Sequence, residues 1–397
     1  MDRFGEKVIC NPTIKIEKNS ECAFINMEMI IPGYKSVHGI ADVFDGQSGA
    51  KFCDKDILMA RITPCLENGK IAKAILPENC FEGYGSTEFL VFRGMENVTD
   101  SDYIYYLLRT NYFRQYAVNS MTGASGRQRA DIKFIKKIKW PFPSIDQQRK
   151  IAAYLNVYDE LIELNLHRIS LLERASETIY KEWFVRYRFP GYEDEKFHDG
   201  IPSSWEIKRL GDFGHIETGK TPSMKIDDYY GEDVLFIKTP DMHGNTFVLS
   251  SEEMLSHEGS ASQPKKLLPA KSIMVTCIGT GGVVSINAVP AHTNQQINSI
   301  ILNDEKCLEW LYLTCKRLKS TIEMYGATGT TMTNLSKGKF SKLKVLVPKR
   351  ELIYKFNALA APIFDRILLL QKENANLIKQ RDIFAERLFF KNVKIDG

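Results

Sequence analysis

Residues 151–183 read IAAYLNVYDELIELNLHRISLLERASETIYKEW, and residues 356–388 read FNALAAPIFDRILLLQKENANLIKQRDIFAERL. Alternating steps of four and three put Ile151, Leu155, Tyr158, Ile162, Asn165, Ile169, Leu172, Ser176, Ile179 and Trp183 on one face of the first stretch. The same steps gather Phe356, Ala360, Ile363, Ile367, Leu370, Asn374, Leu377, Arg381, Phe384 and Leu388 in the second. An apolar stripe of this length is a coiled-coil seam, and one Asn in each stripe is the residue type that fixes register. Each helix would be a rod of roughly 45 Å at 1.5 Å per residue. The alternative is that each helix packs only on its own domain, but two long, similarly striped helices can bury each other. Pro362 lacks an amide and crowds the preceding turn, so a break or kink is expected near the start of the second helix.

What precedes each rod also occurs twice. Arg3-Phe4-Gly5-Glu6 matches Arg209-Leu210-Gly211-Asp212, and Ile57-Leu58-Met59-Ala60-Arg61-Ile62 resembles Ile273-Met274-Val275-Thr276-Cys277-Ile278. The next strand is Glu88-Phe89-Leu90-Val91-Phe92 in one copy and Asn298-Ser299-Ile300-Ile301-Leu302 in the other. Helices near 103–116 and 307–325 follow, then Thr122-Gly123 and Thr328-Gly329, a basic segment, and Pro143 or Pro348 opening the rod. Short periods signal solenoids, whereas a period of about 206 signals a duplicated domain. The fold class is therefore α+β: two similar α/β globules, each followed by a long helix, the helices pairing antiparallel with pseudo-two-fold symmetry. The expected segments are 1–142 for the first globule, 143–187 for its helix, 188–347 for a linker and the second globule, and 348–397 for the last helix. Residues 188–204, RFPGYEDEKFHDGIPSS, have a linker's Gly, Pro, Ser and charge content.

Composition excludes several classes. A hydrophobic content of 44% with 26% charged residues is globular, and 53 Lys+Arg against 49 Asp+Glu leaves only +4, so a polyanionic partner must be argued from where charges sit. The N-terminal MDRFGEKVICNPTIK has early charges and no apolar run, unlike a secretory signal. Residues 272–303 carry no charged side chain, but their Gly, Asn, Gln and Pro content reads as strands and turns, and a soluble, cytoplasmic chain is expected. Eight cysteines form no CxxC and no paired spacing with the seven histidines, so they read as reduced core thiols and no metal site is expected.

Gly214-His215-Ile216-Glu217-Thr218-Gly219-Lys220-Thr221 fits the phosphate-loop pattern, which requires a buried strand before it and a helix beginning at the lysine. The flanks offer neither: Trp205–Leu210 is charged, and Pro222 with SMKIDDYYG supplies no apolar face, so the match reads as a turn. Asn11-Pro12-Thr13 lacks the second proline and the ring of an adenine-methyltransferase loop. A nuclease reading would pair Asp241 with Asp304 and Lys306, but Asp304 reads better as the cap of a helix starting near Cys307. No covalent chemistry is expected of this chain.

Surface for nucleic acid remains. TGASGRQRADIKFIKKIKWPFP, from Thr122, carries Arg127, Arg129, Lys133, Lys136, Lys137 and Lys139 against Asp131 alone. TGTTMTNLSKGKFSKLKVLVP, from Thr328, carries Lys337, Lys339, Lys342 and Lys344 and no acid. A charge run is ordinarily a solvated face. Its recurrence before both helices, beside side chains able to read base edges, argues for DNA contact.

Four stretches resemble the specificity subunit of type I restriction–modification systems. Ala60-Arg61-Ile62-Thr63-Pro64-Cys65-Leu66-Glu67-Asn68-Gly69-Lys70 is similar to a signature of that family's target-recognition domains. Pro202-Ser203-Ser204-Trp205 through Leu210-Gly211-Asp212, then Thr218-Gly219-Lys220-Thr221-Pro222-Ser223, looks like the opening of a second such domain. Trp140-Pro141-Phe142-Pro143 with Gln147-Gln148-Arg149-Lys150-Ile151-Ala152 resembles the start of the family's helix, and Glu182-Trp183-Phe184 its end. One departure stands out: the first half has no tryptophan-containing lead-in like that before Leu210.

The resemblance implies a non-catalytic subunit whose two target-recognition domains each read half of a split, asymmetric DNA site, with the coiled coil setting the unread spacing. It also implies docking of two methyltransferase subunits and, in some assemblies, restriction subunits. S-adenosylmethionine, ATP and Mg would be carried by those partners, with no cofactor in this chain. The assembled complex would then methylate adenine and cleave DNA with ATP. Donor-bearing positions at strand ends and loops give the candidate DNA contacts: Arg61, Asn68, Lys70, Arg127, Gln128, Arg129 and Lys133 in the first globule. In the second they are Lys220, Lys238, Gln295, Thr330, Thr331, Asn334 and Lys337. The rival readings are a coiled-coil scaffold without DNA affinity and a phosphate-loop NTPase.

Overall fold

The computed structural model describes residues 1–124, 126–326 and 333–390. The chain forms two compact units, one of Met1–Leu164 with Asn374–Gly397 and one of Asn165–Glu373. The division runs through both long helices, α1 (Ile145–Phe184) and α2 (Arg350–Phe390), so each unit combines a globule with part of both.

In the first unit, β1 (Val8–Cys10), β2 (Ser36–His38), β3 (Ile57–Ala60), β4 (Ile71–Ile75) and β5 (Phe89–Gly94) form a sheet in the order β1-β5-β3-β4-β2. All neighbours are antiparallel except β2 and β4, which are parallel. β3 is buried at all four positions because the sheet is covered on both faces. Alternation divides its side chains: Ile57 and Met59 pack with Tyr103, Ile104 and Leu107 of the helix Ser101–Arg109, while Leu58 packs with Ile25, Ile30 and Phe52 under a second sheet.

The second unit repeats this plan. β6 (Gly214–Thr218), β7 (Phe247–Val248), β8 (Ile273–Thr276), β9 (Val284–Asn287) and β10 (Ile297–Leu302) take the order β6-β10-β8-β9-β7, again with one parallel pair, β7 and β9. The smaller sheet repeats as well, except that an isolated bridge, Leu268 to Ala291, stands where the first unit has the strand Ala50–Cys53. Strand register corrects one expectation. Phe89 pairs with Ala60 and Ile297 with Thr276, so β5 repeats as Ile297–Leu302 and the sequence match beginning at Asn298 was two residues out.

The opening turns repeat in atomic detail. The amide of Arg3 donates to Glu6 at 3.4 Å and that of Arg209 to Asp212 at 2.8 Å. Phe4 N–H bonds the Ile138 carbonyl at 2.7 Å, and Leu210 N–H bonds that of Leu343 at 2.9 Å. A Cβ on Gly5 would fall 2.7 Å from Lys136 Cβ, and one on Gly211 would fall 2.3 Å from Ser341 Oγ, which is why both copies need glycine. The missing tryptophan has a counterpart elsewhere. Trp205 packs on Tyr187 at 5.2 Å and Phe189 at 5.7 Å, whereas the first unit uses Trp140, on the strand paired with Asp2–Arg3, against Phe113 and Phe390, each at 5.5 Å.

Within each unit α1 and α2 run antiparallel. In the first, Leu155, Ile162, Asn374 and Leu388 are buried, Asn374 Nδ2 donates to the Ile162 carbonyl at 3.3 Å, and Ile151, Leu377 and Phe384 are half-buried. In the second, Ile169, Phe356, Ala360, Ile367 and Leu370 are buried, with Leu172, Ile179 and Ile363 packed against them. There Phe356 meets Trp183 at 5.9 Å and Phe184 at 5.1 Å. Helix α2 continues through Pro362, so of the expected break or kink the break does not occur: Pro362 is exposed, and the freed carbonyl can bond water.

Arg381, an exception to the apolar stripe, is 0% exposed and pairs with Asp159, itself 3% exposed. The Tyr106 hydroxyl also donates to Asp159. The step that carries Pro143 to Pro348 carries Asp159 to Phe364 and Ser176 to Arg381. The second unit therefore has Phe364 and Ser176 where the first has the ion pair.

Candidate nucleic-acid interface

The chain leaving β3 is stitched to two other segments. Arg61 N–H bonds the Glu88 carbonyl at 2.9 Å, Ala130 N–H bonds the Arg61 carbonyl at 2.7 Å, and Thr63 N–H bonds the Gln128 carbonyl at 3.0 Å. A bridge between Ile62 and Arg129 completes the junction and brings Arg61, Glu88 and Arg129 together. Arg129 Nε lies 2.9 Å from both Glu88 carboxylate oxygens and Nη2 lies 2.6 Å from one. Arg61 Nε is 4.0 Å away, an electrostatic neighbour and not a hydrogen-bond donor. The Arg129 hydrogen bonds hold the Glu88 carboxyl below its ordinary range, against the opposing effect of burial, with further help from both guanidinium charges.

The second unit makes the same stitches with other side chains. Cys277 N–H bonds the Gln296 carbonyl at 2.7 Å, Leu335 N–H bonds the Cys277 carbonyl at 2.9 Å, and Ile278 pairs with Asn334. Cys277, Gln296 and Asn334 thus occupy the places of Arg61, Glu88 and Arg129. A carboxylate hub stands close by on β6, where Glu217 takes Lys266, His215 at 3.0 Å and Lys337 at 3.5 Å. Burial would raise Glu217, but Lys266 and His215, with the Lys337 charge, outweigh it and hold the carboxyl low.

Among the remaining candidates, Arg127 and Lys133 are exposed and have no ion pair among the described residues, and Gln128 is half-buried with its carbonyl engaged. Lys70 is turned inward, its Nζ 3.0 Å from the Met27 carbonyl, and with Asn68 it lines a cavity of about 410 Å³ in the first unit. Lys220 is exposed, its backbone anchored on Thr293 at 2.9 Å. Lys238 pairs with Glu253, and Gln295 accepts from the Thr221 hydroxyl at 2.7 Å. Thr330 and Thr331 lie outside the described residues. Glu88, Glu217 and Gln296 are not among the sequence candidates: the two carboxylates offer no donor, and the role of all three shows only through contacts across the fold.

The competing motifs resolve into structural roles. Gly214–Thr218 is strand β6, and the chain after Lys220 runs without a helix to the short turn Asp227–Tyr229, so no phosphate loop forms. Asp304 caps the turn Glu305–Cys307 and binds Arg350 at 2.7 Å and Tyr354 at 2.6 Å. Asp241 accepts the amides of Lys238 and Glu252 at 2.8 and 2.9 Å, and Asn11 accepts that of Val91 at 2.9 Å, closing the end of β1. Among the described residues no group of three or more His, Cys, Asp or Glu could hold a metal ion, and no helix is long and apolar enough to cross a membrane.

A family model described as the type I restriction modification DNA specificity domain matches residues 7–174 and again residues 202–380. The specificity subunit of the HindI type I restriction enzyme of Haemophilus influenzae is 30% identical, over 86% of this chain and 87% of that protein. The MjaIX specificity subunit of Methanocaldococcus jannaschii is 26% identical, over 75% of this chain and 70% of that one. The crystal structure of a type I restriction–modification S subunit from M. genitalium aligns over 98% of this chain and 95% of its own at 17% identity, with a TM-score of 0.49.

Proposed function

This chain belongs to the type I restriction modification DNA specificity family and serves DNA sequence specificity, and from that premise we propose that each globule reads one half of a split, asymmetric DNA site. The subunit is non-catalytic; its partners are double-stranded DNA and methyltransferase subunits. In this reading the paired helices set the unread spacing and offer two related docking places, one for each of two methyltransferase subunits. Restriction subunits join the same assembly where it also cleaves. S-adenosylmethionine, ATP and Mg belong to those partners, and the assembled complex methylates adenine.

One observation carries the reading. The same backbone junction is built twice and dressed differently, Arg61, Glu88 and Arg129 in one copy and Cys277, Gln296 and Asn334 in the other. A scaffold has no need to vary Arg129 and Asn334, the exposed side chains of this repeated junction, whereas reading an asymmetric sequence requires it, because base edges are distinguished by donor and acceptor pattern.

The test is long-read mapping of modified adenines in cells carrying the cognate methyltransferase, with and without this chain. A split motif that depends on the chain is expected. A methyltransferase that is expressed and bound, yet modifies no chain-dependent motif, would leave the scaffold reading in its place.

A further inference from the structure

Arg129 is 44% exposed while Glu88, which holds it, is 20% exposed at its side chain. Glu88 occupies the edge of the guanidinium formed by Nε and Nη2 and so fixes the plane of the group. The outer edge stays available, a pair of donors matching the two acceptors, O6 and N7, that guanine alone presents in the major groove. A guanidinium already bound to a carboxylate is a weak phosphate anchor, because its charge is largely offset, but a well-oriented fork. Asn334, at the equivalent position, is exposed, and its backbone is fixed by pairing with Ile278. Its amide carries one donor group and one acceptor, the pattern that pairs with adenine N6 and N7. Gln296, the counterpart of Glu88, is held within the fold by Asn294 at 3.0 Å and Thr239 at 3.4 Å.

We infer that Arg129, positioned by Glu88, reads a guanine in the first half-site, and that Asn334 reads an adenine at the corresponding place in the second. The assignment rests on the reading that the globules contact DNA and adds the base class each recognises. Glu88 acts through Arg129 as a positioning residue.

The experiment uses the full chain in complex with its methyltransferase subunits, and competition binding against duplexes substituted base by base across the mapped site. Arg129→Lys keeps the charge and removes the fork. It is expected to lose roughly 10- to 100-fold preference for one guanine while every other position is unchanged. Glu88→Gln lowers preference at that same guanine. Arg129→Asn moves that position toward adenine, and Asn334→Arg moves one position of the other half-site toward guanine. The untouched half-site reports in each case that the variant is folded. An Arg129→Lys complex with full preference, or one weakened equally on all duplexes, assigns Arg129 to phosphate and overturns the inference. An unsubstituted complex with no preference at any position overturns the underlying reading instead.

Discussion

Arg129 and Asn334 form the same strand-end bridge and precede the same backbone hydrogen bond, yet one is a charged fork gripped by Glu88 and the other a neutral amide in a copy where Gln296 stands in place of Glu88. The junctions between globule and helices differ in the same spirit. Arg109 with Asp382 in the first unit answers to Lys316 with Glu177 in the second, but the buried pair of Arg381 and Asp159 answers to Ser176 and Phe364. What is kept between the copies is backbone geometry, set by glycines, caps and strand register. What varies is the chemistry mounted on it, outside and inside.

The largest break of this comparison lies in the interior. Arg381→Ala leaves the Asp159 carboxylate buried without its cation and should cost about 3–5 kcal/mol. Ser176→Ala, at the matching place in the other unit, removes a hydroxyl bonded to its own helix at 2.8 Å and should cost about 1 kcal/mol or less. Denaturant midpoints compare the two, and equal shifts would erase the contrast. The double variant Asp159→Phe with Arg381→Ser copies the second junction and should be milder than Arg381→Ala.

Acid sharpens the same contrast with opposite signs. Burial would raise Asp102, but Lys35 and Lys73 outweigh it and hold it from 3.8 down to about 2. Its stabilisation is present above its unfolded value and is lost as pH falls from about 3.8 to about 2, on the order of 2 kcal/mol before solvent screening is allowed for. Glu309, at the corresponding helical place, is raised by burial, so its contribution favours folding at low pH and is lost as pH rises through its folded value. Denaturation of Asp102→Asn across pH 2–5 should show a flatter acid limb, and that of Glu309→Gln a flatter limb above about pH 4.5. A parallel effect in both would contradict the assignment.

The smallest difference is electrostatic. Arg127→Ala should lower the salt dependence of DNA binding by about one phosphate contact. Lys337→Ala should lower it by less, because Glu217 at 3.5 Å already shares its charge. Equal slopes in the two variants would mean that the Glu217 hub opens when DNA binds.

The helical architecture was legible because a 3–4 stripe carries its own geometry: Leu155, Ile162, Ile169, Ile367 and Leu370 are all buried. The repeat was legible too, but β5 was matched two residues out. A slip of two keeps every side chain on its own face, so hydrophobic pattern alone cannot detect it. Arg129 and Asn334 were findable as donors near a turn. Glu88 was not, since it meets Arg129 across 41 positions of sequence. Arg381 looked like a flaw in its stripe because its counter-ion, Asp159, lies on the other helix and outside the stripe.

The first unit is built from the opening of the chain and from residues beyond Asn374, with the whole of the second unit encoded between them. On a ribosome adding about 5–20 residues per second, that interval takes roughly 10–40 s. During it Leu155 and Ile162 have been synthesised, but the α2 residues that pack beside them have not. The second unit, contiguous in sequence, can close first. The unit that starts synthesis earliest is thus the last to be finished, and its unfinished helix face is where a nascent-chain chaperone would be needed.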